Sequence, residues 1–225
     1  MTWHNTIEAI DALDKGIEIL YASGRKIGSL SFLKKFTQLK ALYLHSFKVS
    51  TLDDLSELKH LEILALENVG NGANLGPLSK LQNLRELILQ TPPGWDGSGK
   101  KIIYKSLKSL ENLKKLKRLT AFDVFFEEDG FQPLYRIPSL KVLDTKNSFT
   151  TKEFAKLALN RPDIKCAYAH PYREWEGFEY MKCKKCGNFK VEFSGVDLKR
   201  KNFCLQCDSK KCAELIERFN HLKLN

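Results

Sequence analysis

The chain has 225 residues, 43% of them hydrophobic and 28% charged, with a formal net charge of +10. That length suits one sizeable domain or a domain with an appendage. No apolar run approaches a membrane span, and residues 1–20 carry acidic side chains where a secretory leader is continuously apolar, so the expectation is a cytoplasmic chain with no membrane partner.

The first element expected is a short helix in "NTIEAIDALDKG", with Asn5 or Thr6 as its cap and Ile7, Ile10 and Leu13 along one face. Residues 1–15 are read as an N-terminal helical cap.

An internal repeat then takes over. "LKALYL" at Leu39, "LEILAL" at Leu61 and "LRELIL" at Leu84 share L-x-x-L-x-L and start 22 and 23 residues apart. "LKRLTA" at Leu116 and "LKVLDT" at Leu140 continue it, with degenerate copies at Gly16 ("GIEILY") and Asp163 ("DIKCAY"). Between these motifs runs a second ladder, such as Leu52, Leu55, Leu58, Leu61 and Leu107, Leu110, Leu113, Leu116. In L-x-x-L-x-L the last two leucines alternate with outward residues, as in a short strand with one buried face. The ladder of threes suits a 3₁₀ segment returning on the other side. One such unit cannot bury its own leucines, so the units must stack.

Residues 16–170 therefore resemble the leucine-rich repeat family in its short form, which implies an α/β repeat fold, a solenoid of about seven turns. The family's usual asparagine at the ninth position is missing: that position holds Gly24, Phe47, Val69, Pro92, Val124 and Ser148. The turn is then packed by apolar side chains or bonded otherwise. Leu159 and Cys166 are assigned to the core of the last repeat, Cys166 as a buried structural thiol.

Strand positions three, five and seven point away from the leucine core. On that concave face fall Tyr43, His45, Ile63, Glu67, Glu86, Ile88, Gln90, Arg118, Thr120 and Phe122, a mixed apolar, aromatic and polar set with the composition of a protein-binding patch. The fourth repeat is too long by "TPPGWDGSGKK", which reads either as a solvated surface insertion or as a loop presenting Trp95 for binding. Gly94 to Lys100 mimics a phosphate loop, but Lys101 stands where Ser or Thr would hold Mg²⁺, and nucleotide binding is set aside.

The chain ends differently. Cys183-x₂-Cys186 and Cys204-x₂-Cys207 have the spacing of a four-thiolate Zn²⁺ site, structural because all four positions are filled. Phe189, Val191 and Phe193 alternate as in a strand and Ser194–Gly195 offers a turn, so this stretch resembles a zinc ribbon. Cys212 is either an alternative to Cys207 or, with Ala213, Ile216, Phe219 and Leu222, a core residue of a terminal helix capped by Asp208 or Ser209. Residues 171–225 are read as a zinc-binding module capping the solenoid, its fold dependent on the metal.

Residues 181–225 hold eleven Lys and Arg against five Asp and Glu, which raises nucleic acid as a partner. Lys182, Lys184, Lys185, Lys199, Arg200 and Lys201 crowd the cysteines, although four thiolates around one Zn²⁺ leave negative charge for some of them to neutralise. None of the five histidines stands in a nucleophile or metal motif. The expected function is a non-enzymatic protein binder of adaptor or inhibitor/immunity type. The rival is a nucleic-acid binder using the basic module.

Overall fold

A repeat with leucine at positions four and six commits those side chains to one face of a strand, and stacking such strands side by side closes a shared core. A computed structural model of the chain describes residues 2–24, 27–91, 101–175 and 177–224. Contacts divide the chain into two compact units, Met1–Asp144 and Thr145–Asn225.

In the first unit, a short helix α1 (Ile7–Asp11) capped by the Thr6 hydroxyl precedes the repeats. The strands are β1 (Ile19–Ser23), β2 (Ala41–His45), β3 (Ile63–Glu67), β4 (Glu86–Gln90), β5 (Ile102–Tyr104), β6 (Arg118–Phe122), β7 (Val124–Phe126) and β8 (Val142–Thr145). Six of them form one sheet in the order β1-β2-β3-β4-β6-β8, and β5 pairs with β7 in a second ribbon. From β1 to β6 the strands of the large sheet are parallel and in register, Leu20 beside Leu42, Leu64, Leu87 and Leu119. Those five leucines and their partners two residues on are buried. Short 3₁₀ segments such as Asp53–Glu57 and Gly76–Lys80 return each chain reversal, burying Leu55, Leu58, Leu78 and Leu81.

The ninth position works without asparagine. Phe47, Val69 and Val124 are buried there, and the preceding residues Ser46, Asn68 and Asp123 adopt left-handed backbone with φ of 58°, 55° and 54°. Their turn begins with one further ladder bond per strand, including Ser46 N–H to the Glu67 carbonyl and Asn68 N–H to that of Gln90, both 2.8 Å. The Tyr104 ring fills the same layer, and its hydroxyl donates to the Val69 carbonyl at 2.8 Å. The ninth residue of the fourth turn is not Pro92. Ile102 pairs with Val124, so Ile102 takes that place and the extra residues lie between Thr91 and Ile102.

Three further expectations change. The first turn starts at Ile17 rather than Gly16, because Tyr21 aligns with Tyr43 and points outward while Leu20 and Ala22 are buried. A slip of one residue exchanges the faces of a strand, and that degenerate copy gave no leucine pair to fix its phase. The large sheet contains six strands among the described residues, and the segment at Asp163 contributes none. The division between units falls at 144/145, not 170/171.

The second unit explains that last shift. It comprises α2 (Thr151–Asn160), β9 (Tyr172–Glu174), β10 (Val191–Phe193), β11 (Asn202–Phe203) and α3 (Ser209–Leu224), with an antiparallel sheet in the order β11-β10-β9. Val191, Phe193, Phe203, Cys212 and Leu215 form its core, and α2 packs against α3. Residues 145–170 are bonded into this core. The buried Asn147 side chain donates to Glu192 Oε1 (3.0 Å) and the Phe193 carbonyl (2.8 Å) and accepts from Gly195 N–H (2.7 Å). Asp197 accepts from the Thr151 N–H (2.7 Å) and hydroxyl (2.9 Å) at the start of α2, beside the Thr150–Glu153 capping box. Burial raises the Asp197 carboxyl, but those hydrogen bonds and Arg218 bring it below its ordinary value. Gly195 stands so close that a β-carbon there would lie 2.0 Å from Thr151 Oγ1.

Helical rather than 3₁₀ geometry decides the burial pattern here. Phe154, Ala155 and Leu157 are buried on α2 and Leu159 is 43% exposed, so Leu159 is not a core residue, whereas Cys166 is. On α3, Leu215 joins Cys212 and Phe219 inside, and Ala213 is exposed.

Candidate functional site

Two loops of the second unit carry the cysteines. In the first, residues 181–190 fold into a tight hairpin: Lys182 bridges Phe189, Cys183 N–H donates to the Asn188 carbonyl (2.8 Å), and Gly187 N–H donates to the Cys183 carbonyl (2.9 Å). Gly187 closes that turn with φ of 80°, where a side chain would be strained. In the second loop, Asp208 N–H donates to the Cys204 carbonyl (2.9 Å), while Asp208 Oδ2 accepts from Cys204 N–H (3.0 Å). The loops are joined by Asn188 Nδ2 donating to Gln206 Oε1 at 2.8 Å.

These turns bring the Sγ atoms of Cys183, Cys186, Cys204 and Cys207 within 4.8 Å of one another, with Cys186 and Cys204 3.5 Å apart. A tetrahedral ion with metal–sulfur bonds of about 2.3 Å needs sulfur–sulfur edges of about 3.8 Å. The donor set and its spacing therefore fit a bound metal ion. Backbone N–H groups of Lys185 and Cys186 lower the Cys183 thiol to about 6, and the hydrogen bond that Cys207 donates to Cys186, with burial, pushes Cys207 up to about 12. Cys212 lies outside the quartet. It is buried in the hydrophobic core, and its thiol donates to the Cys204 carbonyl at 3.7 Å.

The basic residues around the quartet are partly committed to local bonds. Lys182 pairs with Glu179 (2.9 Å), Arg200 with Asp208 (3.4 Å), and Lys201 donates to the Asn147 carbonyl (3.0 Å). Lys184, Lys185 and Lys199 are exposed.

In the first unit, the strand register arranges the outward residues in three rows. One runs Ile19, Ala41, Ile63, Glu86, Arg118; the middle one Tyr21, Tyr43, Ala65, Ile88, Thr120; the third Ser23, His45, Glu67, Gln90, Phe122. Tyr43, His45, Ile63, Glu67, Glu86, Ile88, Gln90, Arg118 and Phe122 are all partly exposed. Thr120, beside Ile88 in the middle row, is only 8% exposed and offers little surface to a partner. Trp95 lies outside the described residues.

Sequence reasoning missed the aromatic end of this face. Tyr21 stacks on Tyr43 with ring centroids 4.4 Å apart and 11° from parallel, and Trp3 meets Tyr21 edge-on at 5.5 Å and His45 at 5.9 Å. Trp3 arrives there because His4 forms a parallel bridge with Ala22, a contact that no local pattern announces. Correct phasing of the first repeat would have revealed Tyr21.

No protein-family model matches the chain, and a search of curated proteins returns no match. Among solved structures, an internalin C2 of Listeria monocytogenes aligns at 18% identity and a TM-score of 0.42, over 71% of this chain and 72% of that one. A second internalin of the same organism aligns at 19% identity and a TM-score of 0.41 over 71% of this chain, which spans 48% of it. The solenoid assignment rests on the strand register and not on these alignments.

Proposed function

We propose that this is a non-enzymatic protein-binding protein of adaptor or inhibitor/immunity type, cytoplasmic, recognising its partner with the concave face of the sheet. The supporting observation is the three in-register rows, which hold Tyr43, Ile88 and Phe122 partly exposed on a rigid parallel sheet. Large side chains fixed in this way lose little entropy on binding, and such anchors dominate interface energies. Cys183, Cys186, Cys204 and Cys207 hold one structural Zn²⁺ in this reading, since soft thiolate quartets suit zinc and leave no position open for water. The ion folds a zinc-ribbon-like module.

Nucleic acid is the second reading, favoured by the charge of residues 145–225, which hold 17 Lys and Arg against 10 Asp and Glu. Affinity for a partner captured from lysate separates the two. Tyr43→Ala with Phe122→Ala is expected to weaken binding by more than about 2 kcal/mol with the fold intact. If only Lys199→Ala/Arg200→Ala/Lys201→Ala loses affinity, and nuclease removes the partner, the concave-face reading is wrong.

A further inference from the structure

The residue just before each strand belongs to a row along one edge of the large sheet. Backbone bonds of 2.8 Å join its members in turn: Lys40 N–H donates to the Glu18 carbonyl, Glu62 to Lys40, Arg85 to Glu62, Lys117 to Arg85 and Lys141 to Lys117. In order, the charges of Glu18, Lys40, Glu62, Arg85, Lys117 and Lys141 alternate and then stop alternating. The first four settle into two ion pairs, Lys40 with Glu18 at 2.6 Å and Arg85 with Glu62 at 3.1 Å. Lys117 stands where the alternation calls for a carboxylate.

The leucine ladder adds further charge at that point. Leu113, Leu116 and Leu119 are buried, so Lys114, Lys115 and Lys117 between them are turned outward and exposed. With Arg85 and Ser139 they line one open hollow of about 190 Å³. The contacts inside it leave the charge standing. Lys115 donates to the Asn83 side-chain oxygen at 2.7 Å and the Ser139 hydroxyl to the Leu113 carbonyl at 3.4 Å, both neutral acceptors. Among the described residues Lys114, Lys115 and Lys117 form no ion pair, so Glu62, bonded to Arg85, is the one carboxylate paired with the four cations.

We propose that this hollow binds the carboxylates of an acidic segment in a partner protein. A cleft lined by one sign of charge focuses the field of all its members on whatever enters it, and the Arg85 guanidinium and the lysine ammonium groups each donate to carboxylate oxygens. The row limits the size of the occupant. From Arg85 to Lys141 is two strand spacings, about 10 Å, which gives room for roughly two or three acidic side chains. On the other side of Arg85 the row returns to the paired Glu62 and Glu18, which a nucleic-acid backbone continuing along it would meet. The concave rows begin one residue later in each strand, at Glu86 and Arg118. The proposal therefore rests on the concave-face reading: one partner sets apolar side chains on the sheet and acidic ones over its edge.

The probe is a fluorescently labelled peptide of ten glutamates, titrated by anisotropy against the full-length, metal-loaded chain at about 0.15 M salt. Lys114→Glu/Lys117→Glu should weaken binding at least tenfold and leave the melting temperature unchanged or higher, because it relieves repulsion within the hollow. Lys152→Glu/Lys199→Glu makes the same change in net charge at exposed sites of the second unit, and should cost less than about threefold. Equal losses for the two pairs would reduce the effect to net charge and overturn the proposal, as would no binding at all. Lys114→Gln/Lys117→Gln, which adds no new charge, should also lose at least fivefold; unchanged affinity there sinks the idea whether or not the reversed pair folds. A single-stranded oligonucleotide with ten phosphates is the rival ligand. If it binds more tightly than the peptide and is lost with Lys114→Glu/Lys117→Glu, the hollow takes phosphates and the proposal is wrong. Tyr43→Ala/Phe122→Ala should leave the peptide's affinity unchanged, but a partner captured from lysate should be weakened by that pair and by Lys114→Glu/Lys117→Glu alike. A partner lost only with the tyrosine and phenylalanine changes keeps the concave face and overturns the hollow. One lost only with the lysine changes keeps the hollow and overturns the concave face.

Discussion

Asn147 shows how much one side chain can organise. It holds the position after the strand that Ser46, Asn68 and Asp123 hold in other turns, but its amide faces into the second unit and makes three hydrogen bonds to residues 192–195. Asn147→Ala would strand the Gly195 N–H and a Phe193 lone pair away from water, at a cost of about 2–3 kcal/mol. Urea denaturation of the variant, followed by Trp175 fluorescence, is expected to show the loss; an unchanged midpoint would mean that water replaces the amide. The sequence does not mark Asn147 because its partners lie 45 or more residues away. The same holds for Gly195, read only as a turn glycine although Thr151 packs against it. Leucines of the repeat were readable one by one because their burial follows from a local period. Tyr21 was not, since its copy lacked the leucine pair that sets the phase.

Among the elements, the fourth turn carries the clearest consequence. Thr91 N–H bonds the Phe122 carbonyl and Ile102 N–H bonds that of Asp123, so Thr91 and Ile102 occupy successive positions of the repeat with residues 92–101 between them. Thr91 Oγ1 also accepts from Ile102 N–H at 3.3 Å. Deleting residues 92–101 should therefore restore a turn of ordinary length, keep the β4–β6 and β5–β7 pairings, and leave the melting temperature unchanged or higher, since a shorter loop closes at lower entropic cost. A fall of more than a few degrees, read by circular dichroism, would show that the extra residues support the sheet. Strand positions were legible because alternation by two is distinctive. The site of the insertion was legible only as excess length, and the register was needed to show that Ile102 and not Pro92 fills the ninth position.

For the molecule as a whole, the division at 144/145 gives a metal bound by the cysteine quartet a longer reach than its four ligands suggest. The quartet, Asn147 and α2 belong to one unit, so the Zn²⁺ proposed for the quartet should hold residues 145–224 together, including a helix that supplies no ligand. Elemental analysis should find one Zn²⁺ per chain. Chelation or Cys186→Ser should remove hydrogen-exchange protection from α2, β10 and α3 while the amides of β2, β3 and β4 stay protected. Protection of α2 that survives metal loss would separate it from the clasp. Cysteine spacing made the site readable, but the extent of the unit was not, because α2 follows the last repeat without a break in apolar content, and its allegiance shows in its bonds to Ser194 and Asp197, its close approach to Gly195 and its packing on α3.

The in-register stacking of β1 to β6 also has a mechanical meaning. The hydrogen bonds between strands run along the direction in which the turns stack, so tension applied along that direction loads one row of bonds at a time rather than all rows in shear. The sheet would then yield like a zip, turn by turn. Each released repeat of 22 or 23 residues would add about 80 Å of slack chain. A partner lying along a row would tie several turns together, and so would act as a splint against that peeling.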